Sequence, residues 1–547
     1  MTRNLHTTMT PGLRRSAHRL LLEGCEVLQR TLATLAVGVL ASGASVASIC
    51  FSDADCQGNE FCNITEPDAL PPFGTCEGPN PPPPPPDSFC AAEPPATQPE
   101  ETERFMCDDE LGNVPHRIPY RTLHGYDPAG SATGVGVIFI GDDGVFDRPV
   151  VIPDGFDRGS TRTWQCMYGL LSQSNLLNEV LANGYDVVLV DFDQGEGDVR
   201  GHAGVLTSIL QQLEDHTTGL APIALVGPSM GGIVARYALL SMEQDNTAHR
   251  IATLISYDSP HLGANISPAI QYTTHWLQRV SAQASDRWRS IDSPGARQLL
   301  RHHITGSALF PYESLPVEGD GLWDNDLETS YDVDLKPASE HIHLLNELAQ
   351  MGDYPRVARM VAFSNGSNRG ARVVKLNGYD LEPADGMVFG TGSGGSSDQR
   401  LDLRAEPASG RREVFYGDVR ATLGGNDRSV SYRATGEALD GAPGSVSDFA
   451  NELAEVLRDD DKIDAVDQRV RYTNFIPTKS ALAYTGDFYD DIANELLSGR
   501  KSTPFDATYS PATNETHLCI TRDERNQLID ELRFVDSYRA ALLSVIL

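Results

Sequence analysis

Between residues 134 and 365, short apolar runs alternate with stretches of helical spacing, and few architectures accommodate that alternation. The runs are GVGVIFIG (134–141), RPVVIPDGFD (148–157), YDVVLVDFD (185–193), APIALVGPS (221–229), RIATLISYD (250–258) and RVARMVAFSN (356–365). A strand that is apolar on both faces has to be covered on both, as in a mostly parallel sheet with helices above and below. HAGVLTSILQQLE (202–214) is one such cover, because Val205, Leu206, Ile209, Leu210 and Leu213 fall on one face of a helix. The fold class is α/β.

Two stretches interrupt the alternation. Residues 265–345 carry Trp276, Trp288 and Trp323 amid helical spacing and read as a lid-like insertion over a site. Residues 370–445 hold the short alternating segments ARVVKL, QRLDLRAE, REVFYGDVRAT and SVSYRAT, which read as a small antiparallel β insertion. GTGSGGSS (390–397) lacks the lysine and following helix of a phosphate loop and reads as a flexible loop.

The segment before residue 105 is organised differently. Arg14, Arg15, Arg19 and Arg30 precede an apolar run from Leu32 to Leu40 and the small residues ASGASVAS, the order of a secretory leader cut after Ala47. The apolar run is too short to span a bilayer, so residues 1–47 are expected to be removed and the mature chain to lack a transmembrane anchor. Cys25 leaves with the leader, and eight of the nine cysteines remain, an even number suited to disulfides in an oxidising compartment. Four of them (Cys50, Cys56, Cys62 and Cys76) lie within residues 48–78, a module too small to bury its own core and therefore expected to depend on cross-links. The module resembles the small cysteine-rich repeats of secreted bacterial proteins, which implies contact with a surface partner. PNPPPPPP opens a semi-rigid linker over 79–104, and the body occupies 105–547. With 76 acidic against 43 basic residues the chain repels phosphate backbones and anionic membrane surfaces, which excludes nucleic acid as a partner.

The chemistry concentrates at ALVGPSMGGIVARYALL (224–240), where an apolar strand runs through Gly227-Pro228-Ser229-Met230-Gly231 into a helix. A serine exposed on so sharp a turn needs small neighbours two positions to either side, and the helix start aims free amides at developing negative charge. Together with YDSPHLGA (257–264), this segment resembles the α/β-hydrolase superfamily, and within it secreted lipases and esterases, over roughly 130–260 and 470–547. The resemblance implies Ser229 as nucleophile, with the Met230 amide and one near Gly155 or Phe156 in PDGFD as oxyanion donors. PDGFD stands where many relatives have a His-Gly pair.

Fold order then places the acid after the serine and the histidine last. Of fourteen histidines only His517 lies beyond residue 343, in a strand–loop–helix context, whereas His261 in the Pro-His segment reads as structural. YTNFIPTKSAL (472–482) resembles the stretch in which many lipases carry their aspartate, but Thr473 occupies the slot. Asp258, directly after an apolar strand, replaces it, with Asp487 and Asp506 as alternatives. Such a site needs no cofactor and no metal. DFDQGEGD (191–198) lacks EF-hand spacing and reads as a polar loop. The expected function is a secreted serine hydrolase of ester or lipid substrates. The alternative is an inert extracellular binding protein on a hydrolase scaffold, which the missing acid at 473 favours.

Overall fold

The computed structural model describes, with gaps, residues 120–306, 327–486 and 503–546; the gaps include 217–221, 381–389, 406–411, 422–427 and 455–464. Before residue 120 it describes three short strands. The leader, the proline-rich linker, Trp323 and Asp487 lie outside the described residues. The chain divides into two units, Met1–Pro86 and Asp87–Leu547. In the first, Phe73–Glu77 pairs antiparallel with both Ile49–Cys50 and Phe61–Glu66, and Cys62 stands opposite Cys76 in the register.

The second unit is built on eight strands: β1 (Tyr120–Tyr126), β2 (Thr133–Phe139), β3 (Pro149–Pro153), β4 (Asp186–Phe192), β5 (Ile223–Pro228), β6 (Ile251–Tyr257), β7 (Arg359–Phe363) and β8 (Ala507–Tyr509). Their order across the sheet is β8-β7-β6-β5-β3-β4-β2-β1, and only β2 runs against the others. Nearly every residue of β3 to β6 is buried, which is why these strands read as continuous apolar runs. Strand alternation divides them between two cores. Val188, Val190 and Leu225 face a core with α3 (Val199–His216), α4 (Met230–Gln244) and α8 (Ser339–Met351). Val187, Leu189 and Val226 face one with α1 (Trp164–Gln173), α2 (Leu176–Ala182) and α9 (Arg522–Ile546). The result is a three-layer sandwich with the Ser229 turn at the carboxyl end of its central strand.

The two insertions, separate in sequence, share a third core. Helices α5 (Pro268–Leu277), α6 (Ala282–Ile291) and α7 (Pro294–Leu299) come from the first insertion, which also supplies the strand Leu327–Asp334. That strand pairs parallel with Arg428–Thr435 at the edge of a six-stranded, otherwise antiparallel sheet. Tyr272 of α5 stacks on Tyr432 of the sheet with centroids 4.2 Å apart, and Trp288 and Phe415 are buried in the same cluster. Each such side chain contributes about 1.5–3 kcal/mol through burial. GTGSGGSS is not a flexible loop: Gly390–Ser396 is a strand between Gln399–Ala405 and Ala465–Asp467. Ladder pairing on both edges outweighs the poor strand propensity of its glycines.

Candidate active site

Ser229 sits between β5 and α4 with φ 51° and ψ −127°, a conformation that few non-glycine residues adopt. The turn closes only because its neighbours are small. A Cβ at Gly231 would lie 2.7 Å from the Pro153 carbonyl oxygen, and one at Gly227 would lie 2.5 Å from the Cα of Gly232. The turn is held from behind as well, since the Ser229 amide donates to the Tyr257 carbonyl at 2.9 Å, coupling β5 to the end of β6.

A histidine far away in sequence meets this serine, and Asp258 meets the histidine. His517 Nε2 lies 3.0 Å from Ser229 Oγ, and His517 Nδ1 lies 2.7 Å from Asp258 Oδ2. Asp258 is completely buried, and its other oxygen accepts the Asn365 amide at 3.1 Å. Like Ser229 it has a positive φ, 45°, and its own amide donates to the Phe363 carbonyl, so the ends of β6 and β7 hold it together. Asp506 stands elsewhere: it is exposed and precedes β8, exchanging hydrogen bonds with Met360 at the opposite end of the sheet from Ser229. Thr473 is buried on Thr473–Pro477, which pairs with Gly444–Ser447 outside the central sheet.

Asn365 is the residue that sequence reasoning missed. It follows β7, where its amide meets Asp258, its carbonyl accepts from the Glu515 amide at 2.8 Å, and its side-chain Nδ2 donates to the Cys519 carbonyl at 2.8 Å. One residue therefore ties Asp258 to both sides of the loop that carries His517. The signal was an asparagine closing the strand RMVAFS, which is uninformative until β7 is known to lie beside β6. The loop is also anchored to the strand Gly444–Ser447, because the His517 amide donates to the Val446 carbonyl at 3.0 Å. Phe475 places its ring edge-on to His517, with centroids 4.8 Å apart.

The backbone amides around the serine turn differ in what they bond. Met230 is the first residue of α4, where helical amides have no partner within the helix. The Gly155 amide is already committed to Asp154 Oδ1 at 2.8 Å, whereas the Phe156 amide has no hydrogen bond among the described residues. Of the two residues expected for the second donor, Phe156 is the one whose N–H is free. This loop lies against Ser229, since a Cβ on Gly155 would be 3.2 Å from that of Ser229.

His261 is fully buried 2.7 Å from Ser256 Oγ, and burial together with the Arg236 charge holds its pKa well below the ordinary range. It is a neutral structural group. The carboxylates of 191–198 are taken up by protein donors: Asp191 accepts the Trp164 amide, Asp193 the Thr133 hydroxyl and Glu196 the Ser290 hydroxyl. Among the described residues no group of three acidic, histidine or cysteine side chains is arranged to hold a metal ion.

Burial also raises several carboxyls near the site. Asp157 is pushed up to about 6, Asp191 to about 7 and Glu515, by burial and then by Glu524, to about 8. Glu515 Oε2 is buried without a hydrogen-bond partner among the described residues, a poor environment for a charged oxygen. Between its ordinary value of 4.5 and about 8, the native state holds a proton that the unfolded chain has released. The stability associated with this group is therefore complete below the lower value and lost as pH rises through the upper one. In thermal melts from about pH 5 to 9, the wild-type Tm is expected to fall more steeply than that of Glu515→Gln. Parallel curves would show Glu515 to be ionised in the folded protein.

The sheet order and the position of the serine turn define an α/β-hydrolase fold. Residues 203–308, which include Ser229, match the model of the PGAP1-like alpha/beta domain. No curated protein matches the sequence. Similar solved structures include Est1E from Butyrivibrio proteoclasticus, at 15% identity and a TM-score of 0.19, covering 25% of this chain and 51% of that one. The hyperthermophilic esterase from the archaeon Pyrobaculum calidifontis is 16% identical with a TM-score of 0.25, covering 46% and 76% respectively. XC6422 from Xanthomonas campestris, described as a serine hydrolase without a lid, is 17% identical with a TM-score of 0.21, covering 26% and 62%. Likeness this slight adds nothing about the site to what the sheet order already states.

Proposed function

We propose that the protein is a secreted serine hydrolase of carboxylic esters, acting through Ser229, His517 and Asp258. The observation that carries this reading is the continuous hydrogen-bonded chain from Ser229 Oγ through His517 to buried Asp258. In the proposed cycle Ser229 Oγ bonds to the ester carbonyl carbon as its proton passes to His517 Nε2. Asp258 holds the imidazole with Nε2 facing the serine and stabilises the imidazolium. The Met230 and Phe156 amides receive the charge that develops on the carbonyl oxygen. Collapse breaks the bond to the alcohol, which leaves with the proton from His517. Water, deprotonated by the same nitrogen, then attacks the acyl-enzyme, and the acid is released as Ser229 regains its proton. No step calls for a cofactor.

The inert-scaffold alternative rests on the absent acid at position 473, and the hydrogen bond between His517 and buried Asp258 favours the hydrolase reading over it. Export is supported by the leader-like first 47 residues, and we read Cys166 and Cys519, both buried and disulfide-bonded, as cysteines of an oxidising compartment. Among the described residues no helix is long and apolar enough to cross a membrane. Net acidity favours neutral lipids or soluble esters over anionic bilayers as substrates.

The test is hydrolysis of p-nitrophenyl esters from acetate to palmitate, with a fluorophosphonate probe in parallel. Turnover together with a labelled peptide containing Ser229 is expected, and the preferred chain length separates esterase from lipase. Silence towards every ester and towards the probe would overturn the proposal in favour of a binding protein.

A further inference from the structure

The loop Asp154–Asp157 lies against Ser229, and the first and third of its three peptide groups are held by hydrogen bonds. The first carries the Gly155 N–H, which donates to Asp154 Oδ1 at 2.8 Å. The third carries the Phe156 carbonyl, which accepts from Arg162 Nη2 at 3.1 Å, and the Asp157 N–H, which donates to the Gly195 carbonyl at 3.1 Å. Between them lies the peptide that bears the uncommitted Phe156 N–H. Arg162 grips both flanks. Its Nε donates to Asp154 Oδ2 at 3.1 Å, its Nη2 lies 2.8 Å from Asp154 Oδ1, and its own amide donates to Asp157 Oδ2 at 2.8 Å. The two paired side chains are only 13% and 7% exposed, so solvent screens the pair weakly. The clamped Phe156 carbonyl and the Phe156 ring, which packs against two hydrophobic clusters, fix two of the bonds at the Phe156 Cα and with them the place of its nitrogen.

We propose that Arg162 is a positioning residue of the oxyanion site, holding the Phe156 N–H towards the substrate carbonyl without touching substrate itself. The inference rests on the proposed hydrolase function. A planar guanidinium can bond a carboxylate and a carbonyl at once from fixed directions, which an ammonium cannot do.

The experiment compares wild type with Arg162→Ala and Arg162→Lys on the best p-nitrophenyl ester, and measures inhibition by an alkylboronic acid. The boronate adds to Ser229 Oγ and places a tetrahedral anionic oxygen where the oxyanion would form. Arg162→Ala is expected to lose about 10²–10³ in kcat, the usual cost of one oxyanion donor, with KM changed less than about threefold. Boronate affinity should fall in parallel, Arg162→Lys should lie between, and added guanidinium should restore part of the Arg162→Ala rate. The inference is overturned if kcat stays within about threefold of wild type in both variants, or falls while boronate affinity holds. Should Arg162→Ala not accumulate folded, Asp154→Asn takes its place, since it keeps the acceptor for Gly155 but removes the charge. A parallel loss of about tenfold in kcat and boronate affinity is then expected, and wild-type values would overturn the inference. A wild type silent towards esters and fluorophosphonate sinks the proposed function, whereas an active wild type with unimpaired variants sinks this inference alone.

Discussion

Ser229→Ala is expected to lower kcat for ester hydrolysis by about 10⁶-fold, with KM nearly unchanged and the fold intact. The substitution removes one oxygen and leaves the backbone as it was. The unusual φ of 51° is imposed by β5, α4 and the close approach of Gly227 to Gly232, none of which the hydroxyl supports. Tm should therefore stay within about 2 °C of wild type, a shift too small for a lost core contact. Substrate still meets the Met230 and Phe156 amides, so a residual rate above that in water should survive. Because Ser229 and His517 act as one unit, adding His517→Ala to Ser229→Ala should cost almost nothing further. A Ser229→Ala enzyme retaining a tenth of wild-type turnover would place the chemistry elsewhere.

Asp258→Asn is expected to cost about 10⁴-fold in kcat at neutral pH. Asparagine has the same outline and accepts positive φ readily, so the 45° backbone and the bond from the Asn365 amide to Oδ1 should persist. What changes is the atom that faces His517. At the position of Oδ2, now 2.7 Å from Nδ1, an amide nitrogen donates where a carboxylate accepted. Nδ1 then becomes an acceptor, the ring proton moves to Nε2, and the nitrogen beside Ser229 Oγ can no longer take its proton. Asp506→Asn, altered at the far end of the sheet, should remain within about threefold of wild type. Comparable losses in the two variants, or full activity in Asp258→Asn, would refute the assignment of the acid.

The serine turn was legible in sequence because its signal is local. Strand, tight turn and helix occupy consecutive residues, and the small side chains that the turn demands lie within two positions of Ser229. The central strands were legible for a similar reason, since burial on both faces leaves an apolar run with no other explanation. Gly390–Ser396 failed that test. Its glycines carry no side-chain pattern, and only pairing with Gln399–Ala405 and Ala465–Asp467 makes it a strand. Arg162 also escaped notice, because an arginine eight residues beyond Asp154 looks like any surface charge until the loop folds back on itself.

The sequence by itself determined the layered sheet, the serine at its carboxyl edge and, through fold order, the only late histidine. Tertiary structure alone decided the rest. Three aspartates stood as candidates for the acid, and what separates Asp258 from Asp506 is which end of the sheet each occupies, a property of strand register rather than composition. Gly155 and Phe156 are adjacent in sequence, yet only one has a free amide, because the Asp154 carboxylate turns back onto its neighbour. The two insertions became one body because Leu327–Asp334 found its partner about a hundred residues later. Local sterics can be read from neighbouring residues, whereas contacts between distant segments exist only once the whole chain has closed.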